Sequence, residues 1–248
     1  MLINLRNALM AGKRTPTAKD YVQSGLVAMW DGIENVGWGT HDGSATTWKD
    51  LSGNNYDLTL TSRGATFGLS GLVCPDSVSS TASAANGNFN IATSLQTLEF
   101  CCSYIRGTKN IYQNKDWCYA ASFGTTHGWT IAFKGGTGND SGVGLTGHQV
   151  GRMDVAFVDE RFTVSATTSS KGAGALQPSA LFYRGVSQNI GGAINIQGSP
   201  ANVTHIGGVN TNYPFVGTIY SVRAYSRALT ASEIAANYAI DKERFGLT

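Results

Sequence analysis

The sequence predicts an all-β protein: a sandwich of short strands, closed by a short C-terminal helix and preceded by a short N-terminal helical arm. Three observations carry that prediction. The composition joins 31 Gly to only 5 Pro and 14% charged residues, which suits many short strands linked by turns. Runs such as Phe162, Val164, Ala166 and Leu98, Phe100, Cys102, Tyr104 put apolar residues at every second position, the period at which a strand turns one face to a core. The stretch "FVGTIYSVRAYSRALTASEIAANY", residues 215–238, runs from strand into capped helix almost without pause. At 248 residues the chain fits one sandwich with a tail, divided as an arm and linker, residues 1–20, and a sandwich, residues 21–248. A body of that size buries roughly 70–75% of its unfolded surface and needs no disulfide or metal staple.

In the arm, Leu2, Leu5 and Leu9 fall on one face of a short helix that Gly12 ends before the polar linker "KRTPTAKD". Such a helix is too small to fold alone. It is either a frayed or docked terminus or an assembly segment, residues 1–12, that sets its leucine face on a neighbouring subunit of a homo-oligomer or particle. The first strand lies in "SGLVAMWDG", apolar on both parities and so buried on both faces. A turn-rich stretch follows, in which "SGNN" supplies residues tolerant of positive φ before the strand Tyr56–Leu60. In "SLQTLEFCCSYI" the face Leu98, Phe100, Cys102, Tyr104 is the core candidate, against Leu95, Thr97, Glu99, Cys101 on the other. Strand spacing continues through "WCYAASF", "GWTIAFKG" and "GRMDVAFVDERFTVSATTSS"; "SALFYRGVSQN" reads as strand, turn at Gly185 and return strand, and "NVTHIGG" as a short strand. No period of 20–50 residues repeats, which argues against a propeller or solenoid.

The closing strand changes parity between Phe215, Gly217, Ile219 and Val222, Ala224, so it is buried on both faces or bulged near Gly217. Thr230 caps the helix and Glu233 reaches back to the cap amide, a capping box. Ile234, Tyr238 and Phe245 share the face the helix buries.

This closing stretch resembles the last strand and helix of the laminin-G-like, concanavalin A-like jelly rolls. Their usual pattern is an aromatic, a Gly, alternating apolar residues, then Tyr, Arg-Ala-Leu-Thr/Ser and Glu-Ile, as in "FVGTIYSVRAYSRALTASEI". "SGLVAMWDG…TTWKDLSGNNYDLTL" is similar to the family's opening strands, and "RFTVSATTSS…SALFYRGV" to its paired strands with a Tyr-x-x-Gly turn. Residues of about 65–150 match only in strand rhythm. The resemblance implies a two-sheet antiparallel jelly roll with first and last strands adjacent and the late helix sealing one end. It also implies a non-catalytic recognition or adhesion module with glycans or cell-surface polysaccharides as ligands. Such modules occur in phage and prophage structural proteins, so a virion or other particle surface is the implied setting. A purely structural or decorating protein without a small ligand is the alternative, and a glycoside hydrolase the second.

Hydrolysis by retention needs two carboxyl groups about 5–5.5 Å apart, and the family's hydrolases meet that need with Glu-x-Asp-x-x-Glu. That motif is missing here: the Glu residues are Glu34, Glu99, Glu160, Glu233 and Glu243. Glu99 stands alone, Glu233 is taken by capping, and Asp159–Glu160 read as a turn. His41, His127, His148 and His205 are scattered without a nucleophile elbow or a zinc-binding His-Glu-x-x-His. No catalytic residue is therefore assigned. Cys74, Cys101, Cys102 and Cys118 lack metal-ligand spacing, and since Cys101 and Cys102 point to opposite faces, free thiols are expected.

Binding has better material, because a sugar offers an apolar face and a rim of hydroxyls, which an exposed aromatic beside polar groups can meet. Two loops qualify. One carries Trp38 with Asn35, His41 and Asp42, the other Tyr213 with Asn210 and Asn212. Trp30 and Trp48 read as core. No cofactor is expected apart from calcium, for which Asn139 and Asp140 in "GNDSG" and Asp42 in "HDGS" supply hard oxygen donors. Net charge is +2 and the 18 Lys and Arg are dispersed, so nucleic acid is a poor partner. No segment is long and apolar enough to insert in a membrane. Arg6 and Asn7 interrupt the apolar run a signal peptide requires, so synthesis in the cytoplasm is expected with Met1 as the start.

Overall fold

The computed structural model describes residues 14–61, 64–75, 84–89, 95–104, 117–123, 129–134, 142–145, 151–154, 161–168, 176–177, 179–188, 194–195, 204–208 and 215–248. Leu2, Leu5 and Leu9 of the expected arm lie outside them.

Two eight-stranded antiparallel sheets face each other, as the alternation predicts. The first runs β15 (Val186–Gln188), β14 (Ser179–Tyr183), β12 (Arg161–Thr168), β7 (Thr97–Tyr104), β18 (Gly217–Tyr225), β5 (Leu72–Cys74), β4 (Thr66–Phe67), with β1 (Leu26–Asp31) also paired to β18. The second runs β11 (Gly151–Asp154), β10 (Gly142–Leu145), β9 (Trp129–Lys134), β8 (Trp117–Phe123), β17 (Thr204–Ile206), β6 (Ala85–Gly87), β3 (Leu58–Leu60), β2 (Thr47–Trp48). β13 (Leu176–Gln177) and β16 (Ile194–Asn195) form a separate pair. First and last strands are neighbours, Trp30 opposite Val222.

The core fills the space between the sheets. Trp30, Trp48, Phe100, Phe162, Phe215, Ile219 and Val222 are buried there with Leu98, Cys102, Val164 and Ala166, so the face chosen from period-2 spacing is the inner one. Both core tryptophans have their indole N–H satisfied, Trp30 by the Tyr56 carbonyl at 2.8 Å and Trp48 by the Asp31 carbonyl at 2.9 Å. Turn chemistry also follows the sequence. Gly53 and Asn55 hold positive φ ahead of β3, and Arg184–Gly185, both at positive φ, join β14 to β15 as a two-residue primed hairpin turn. Cys74, Cys101 and Cys102 are buried, with Cys102 in the main core and Cys101 on the opposite face.

β18 is buried on both faces, as expected, and its irregularity lies between Ile219 and Ser221, opposite Cys102 and Cys101 and just beyond Gly217. It lets Tyr220 and Ser221 both face outward while Ile219 and Val222 face the core, which accounts for the parity change. Gly217 is needed for a different reason: at φ +142° a Cβ there would stand 2.1 Å from the Ser103 carbonyl oxygen.

One expectation, the place of the helix, is corrected. The helix, Ala231–Phe245, does not seal an end of the sandwich. It lies across the outer face of the first sheet, over β7, β12 and β18, where Asp241 and Asn237 complete the partners of the buried Arg223–Glu99 pair. Arg223 is fully buried; its Nε donates to Glu99 at 2.8 Å, and its two terminal nitrogens donate to the two oxygens of Asp241 at 2.8 Å each. Thr163 donates to Asp241, and Asn237 and Ser165 donate to Glu99, at 2.7, 2.7 and 3.1 Å. Burial works against the Arg223 charge, but Asp241 and Glu99 more than offset it and its pKa is raised. Burial raises the pKa of Glu99 against the pull of Arg223.

The helix ends are built as the sequence indicates. Thr230 accepts from the Glu233 amide and Glu233 accepts from the Thr230 amide, a capping box. Gly246 closes the helix in the left-handed region and Leu247 donates to the Lys242 carbonyl. Arg227 pairs with Glu233 and, with the cap, lowers its pKa to about 2.

Arg223→Met leaves Glu99 and Asp241 buried without their cation. A loss of about 3–5 kcal/mol is expected in denaturant unfolding, and a loss below about 1 kcal/mol would show that the helix docks without the triad. Glu233 has a lowered folded pKa, so its contribution is present above its ordinary value of 4.5 and is lost as pH falls toward about 2. The melting-temperature gap between wild type and Glu233→Gln is therefore expected at neutral pH and should close across that window.

Candidate functional site

β1 ends at the buried Asp31, and the chain leaves the first sheet through the loop 32–46 to reach β2 at the edge of the second. The exit is tight. A Cβ on Gly32 would lie 2.4 Å from the Gly71 Cα, so the loop starts pressed against the hairpin joining β4 to β5. Asp31 then shapes the first turn by accepting from the amides of Ile33 and Glu34, each at 3.0 Å.

Glu34 is the clamp of this loop. One carboxylate oxygen accepts from the Ala18 amide at 2.8 Å and from Arg244 at 3.1 Å; the other accepts from the Gly39 amide at 2.8 Å. A single buried side chain thus ties together the turn Ala18–Asp20, the C-terminal helix and the loop tip. Arg244 also pairs with Asp31 at 2.9 Å, and its guanidinium, like that of Arg223, stands over the ring of the buried Tyr21. Burial raises the pKa of Asp31 against the pull of Arg244. Tyr21 donates to Asp241 at 2.7 Å and the Val22 amide to Asn237 at 2.9 Å. Residues 17–22, at the border drawn from sequence between arm and sandwich, are packed on the folded body.

The tip presents Trp38 between Gly37 and Gly39, both at positive φ, and a bridge pairs Gly37 with Thr40. Trp38 is 38% exposed. Lys19 sets its ammonium 5.2 Å from the centroid of the Trp38 ring, a cation–π distance. His41 and Asp42, both exposed, follow on the same loop. The His41 Nδ1 lies 3.2 Å from the Gly32 carbonyl, which can only accept, so that nitrogen is the donor and Nε2 is left for a ligand. Asp42 accepts from the Ser44 hydroxyl and amide, which hold its carboxyl below the usual range.

Trp38, His41 and Asp42 therefore share one braced loop. Asn35 does not join them as a ligand group: it is fully buried and its amide is spent on the backbone of Asp42, at 2.8 and 2.9 Å. Asn210, Asn212 and Tyr213 lie outside the described residues, as do the calcium candidates Asn139 and Asp140. Among the described residues no group of three or more His, Cys, Asp and Glu is placed to hold a metal ion, and no helix is long and apolar enough to cross a membrane. Two contributors escaped sequence reasoning, Glu34 and Lys19. A carboxylate just past the turn that ends a buried strand and before a Gly-rich loop is the available signal for Glu34; a lysine in a polar linker gives none.

No protein-family model matches the chain, and no curated protein sequence matches it. Solved structures do. Domain 4 of a GH43 extracellular arabinanase from Geobacillus stearothermophilus, in complex with arabinotriose, aligns with TM-score 0.59 at 14% identity over 87% of this chain and 98% of that one. The receptor-binding domain of botulinum neurotoxin type G aligns with TM-score 0.62 at 14% identity, over 88% of this chain and 52% of that one. A Trypanosoma rangeli sialidase, in complex with sialic acid, aligns with TM-score 0.59 at 13% identity over 94% of this chain. The chain spans only 34% of the sialidase. At such identity the likeness shows the fold alone.

Glu34→Ala removes the shared acceptor of Ala18 and Gly39. Faster amide hydrogen exchange is expected at residues 37–42 and 17–20, with β18 and β7 unchanged; unaltered exchange at Gly39 would show that the loop holds itself.

Proposed function

We propose that this chain is a non-catalytic recognition module of the laminin-G-like, concanavalin A-like kind, and that it binds glycan at the Trp38 loop. One observation carries the reading: a large aromatic ring, partly exposed, stands at the tip of a loop braced on the sandwich body. A preorganised ring loses little freedom when a sugar stacks on it, and His41 and Asp42 offer an imidazole nitrogen and carboxylate oxygens to the hydroxyl rim. The arabinanase domain solved with arabinotriose supports the ligand class, since a body of this shape and nearly the same length is found there with a saccharide.

The non-catalytic part rests on the placement of carboxylates. Among the described residues Glu99 and Asp241 share Arg223, yet both are sealed beneath the helix with no exposed surface. Asp31 and Glu34 are likewise buried against Arg244. Neither pair opens on a groove a glycoside could enter. Under the same reading the module belongs to an assembled particle, a virion among them, held through residues 1–12.

Screening the full chain on a glycan array and titrating the hits tests the reading. Trp38→Ala is expected to weaken binding at least about tenfold, the equivalent of roughly 1.4 kcal/mol, without lowering the melting temperature. Hits that survive the substitution at full strength would move the site elsewhere.

A further inference from the structure

Among the described residues some exposed cations pair with carboxylates and others, Lys19 over Trp38 and Lys242 over Tyr238, stand against aromatic rings. Arg14 is paired with Asp20, Lys49 with Asp57 and Arg227 with Glu233. Lys19 has no carboxylate partner there; its ammonium is exposed and lies against the Trp38 ring. Its backbone is not free to carry it away. Ala18 is completely buried, the Ala18 amide is held by Glu34, and the turn closes on itself through Asp20, which accepts from the Thr17 amide at 2.7 Å while donating its own amide to the Thr17 carbonyl at 3.1 Å. The other Glu34 oxygen holds Gly39, the residue after Trp38. Lys19 and Trp38 are therefore presented together by the two oxygens of one carboxylate.

Resting on the glycan-binding reading above, we infer that the Trp38 loop takes acidic saccharides, sugars carrying a carboxylate or sulfate, with Lys19 as the group that selects the charge. A pyranose laid on the exposed part of the indole ring meets the Lys19 ammonium at its rim, where an anionic substituent gains a charge-assisted contact that a hydroxyl does not. Of the nearby carboxylates, Asp20 is paired with Arg14, while Asp42 keeps its charge with Oδ1 held by Ser44, so an anionic substituent is accepted only on the Lys19 side of the ring. Lysine suits this role because its flexible stem lets a point charge follow the substituent.

The test titrates the full-length wild type, Lys19→Gln and Trp38→Ala with two matched pairs: trigalacturonate against its methyl ester, and a sulfated galactan oligosaccharide against its desulfated form. The inference expects the wild type to prefer at least one acidic member by roughly three- to tenfold over its neutral partner, the range of one exposed charge contact. Lys19→Gln should erase that preference and flatten the salt dependence of the acidic ligand's affinity, with the melting temperature unchanged. Which pair responds tells carboxylate from sulfate. Equal binding of acidic and neutral members, or a preference that survives Lys19→Gln, overturns the inference and leaves glycan binding standing. Binding that Trp38→Ala leaves untouched overturns the site itself, and absence of binding to all four probes overturns the acidic-saccharide inference.

Discussion

The structure depends on one buried cation. Arg223 sits mid-strand in β18, the strand with the most neighbours in the first sheet, and its side chain has no access to water. A guanidinium in that position is tolerable only with carboxylates around it. The sheet supplies one, Glu99, from the adjacent β7; the second, Asp241, has to come from outside the sheet. The helix therefore docks where Asp241 meets both terminal nitrogens of Arg223 while Asn237 reaches Glu99. An apolar face would have held a helix equally well. What the triad adds is a single position along the sheet, since a shift of one helical turn separates both contacts.

That position is passed on to the surface. With the helix fixed, Asp241 and Asn237 hold Tyr21 and the Val22 amide, and Arg244 is set against Asp31 and Glu34. Glu34 in turn holds the Ala18 turn and the tip of the Trp38 loop. The chain of contacts from sheet interior to loop tip consists of hydrogen bonds and ion pairs with little or no exposure, so it is weakly screened and directional. A loop built mainly of Gly, Thr, Asp and Ser would otherwise be mobile.

Most of the fold was legible because it follows local rules. Alternation at Leu98, Phe100, Cys102 and at Phe162, Val164, Ala166 picked the inner face, since the pleat leaves no other way to place those side chains. The Thr230–Glu233 capping box and the Arg184–Gly185 turn are contacts within a few residues, and sequence spacing determines them. The charge layer was illegible for the opposite reason. Glu99 and Arg223 are separated by 124 positions, and an isolated Glu in "TLEFCCS" carries no mark of a partner that far away. The helix was consequently expected over an end of the sandwich, not over a sheet face. The site was half legible: Trp38, His41 and Asp42 follow from an aromatic in a Gly-rich loop, but the same reasoning took the brace Asn35 for a ligand group and passed over Lys19, whose position only tertiary packing reveals.

The layering also separates what holds the molecule from what faces a ligand. Apolar side chains occupy the space between the sheets, and a polar layer of four carboxylates, Asp31, Glu34, Glu99 and Asp241, with two guanidiniums, Arg223 and Arg244, occupies the space between sheet, helix and N-terminal turn. The excess of acid in that layer is met by backbone amides and hydroxyls, among them Ala18, Ile33, Gly39, Thr163 and Ser165, so it needs no surface cation for compensation. Lys19 is thus left without a structural task beyond the ring it lies on, and Trp38 without a core to fill. Residues released in this way from stability are the ones whose chemistry can be set by what they bind.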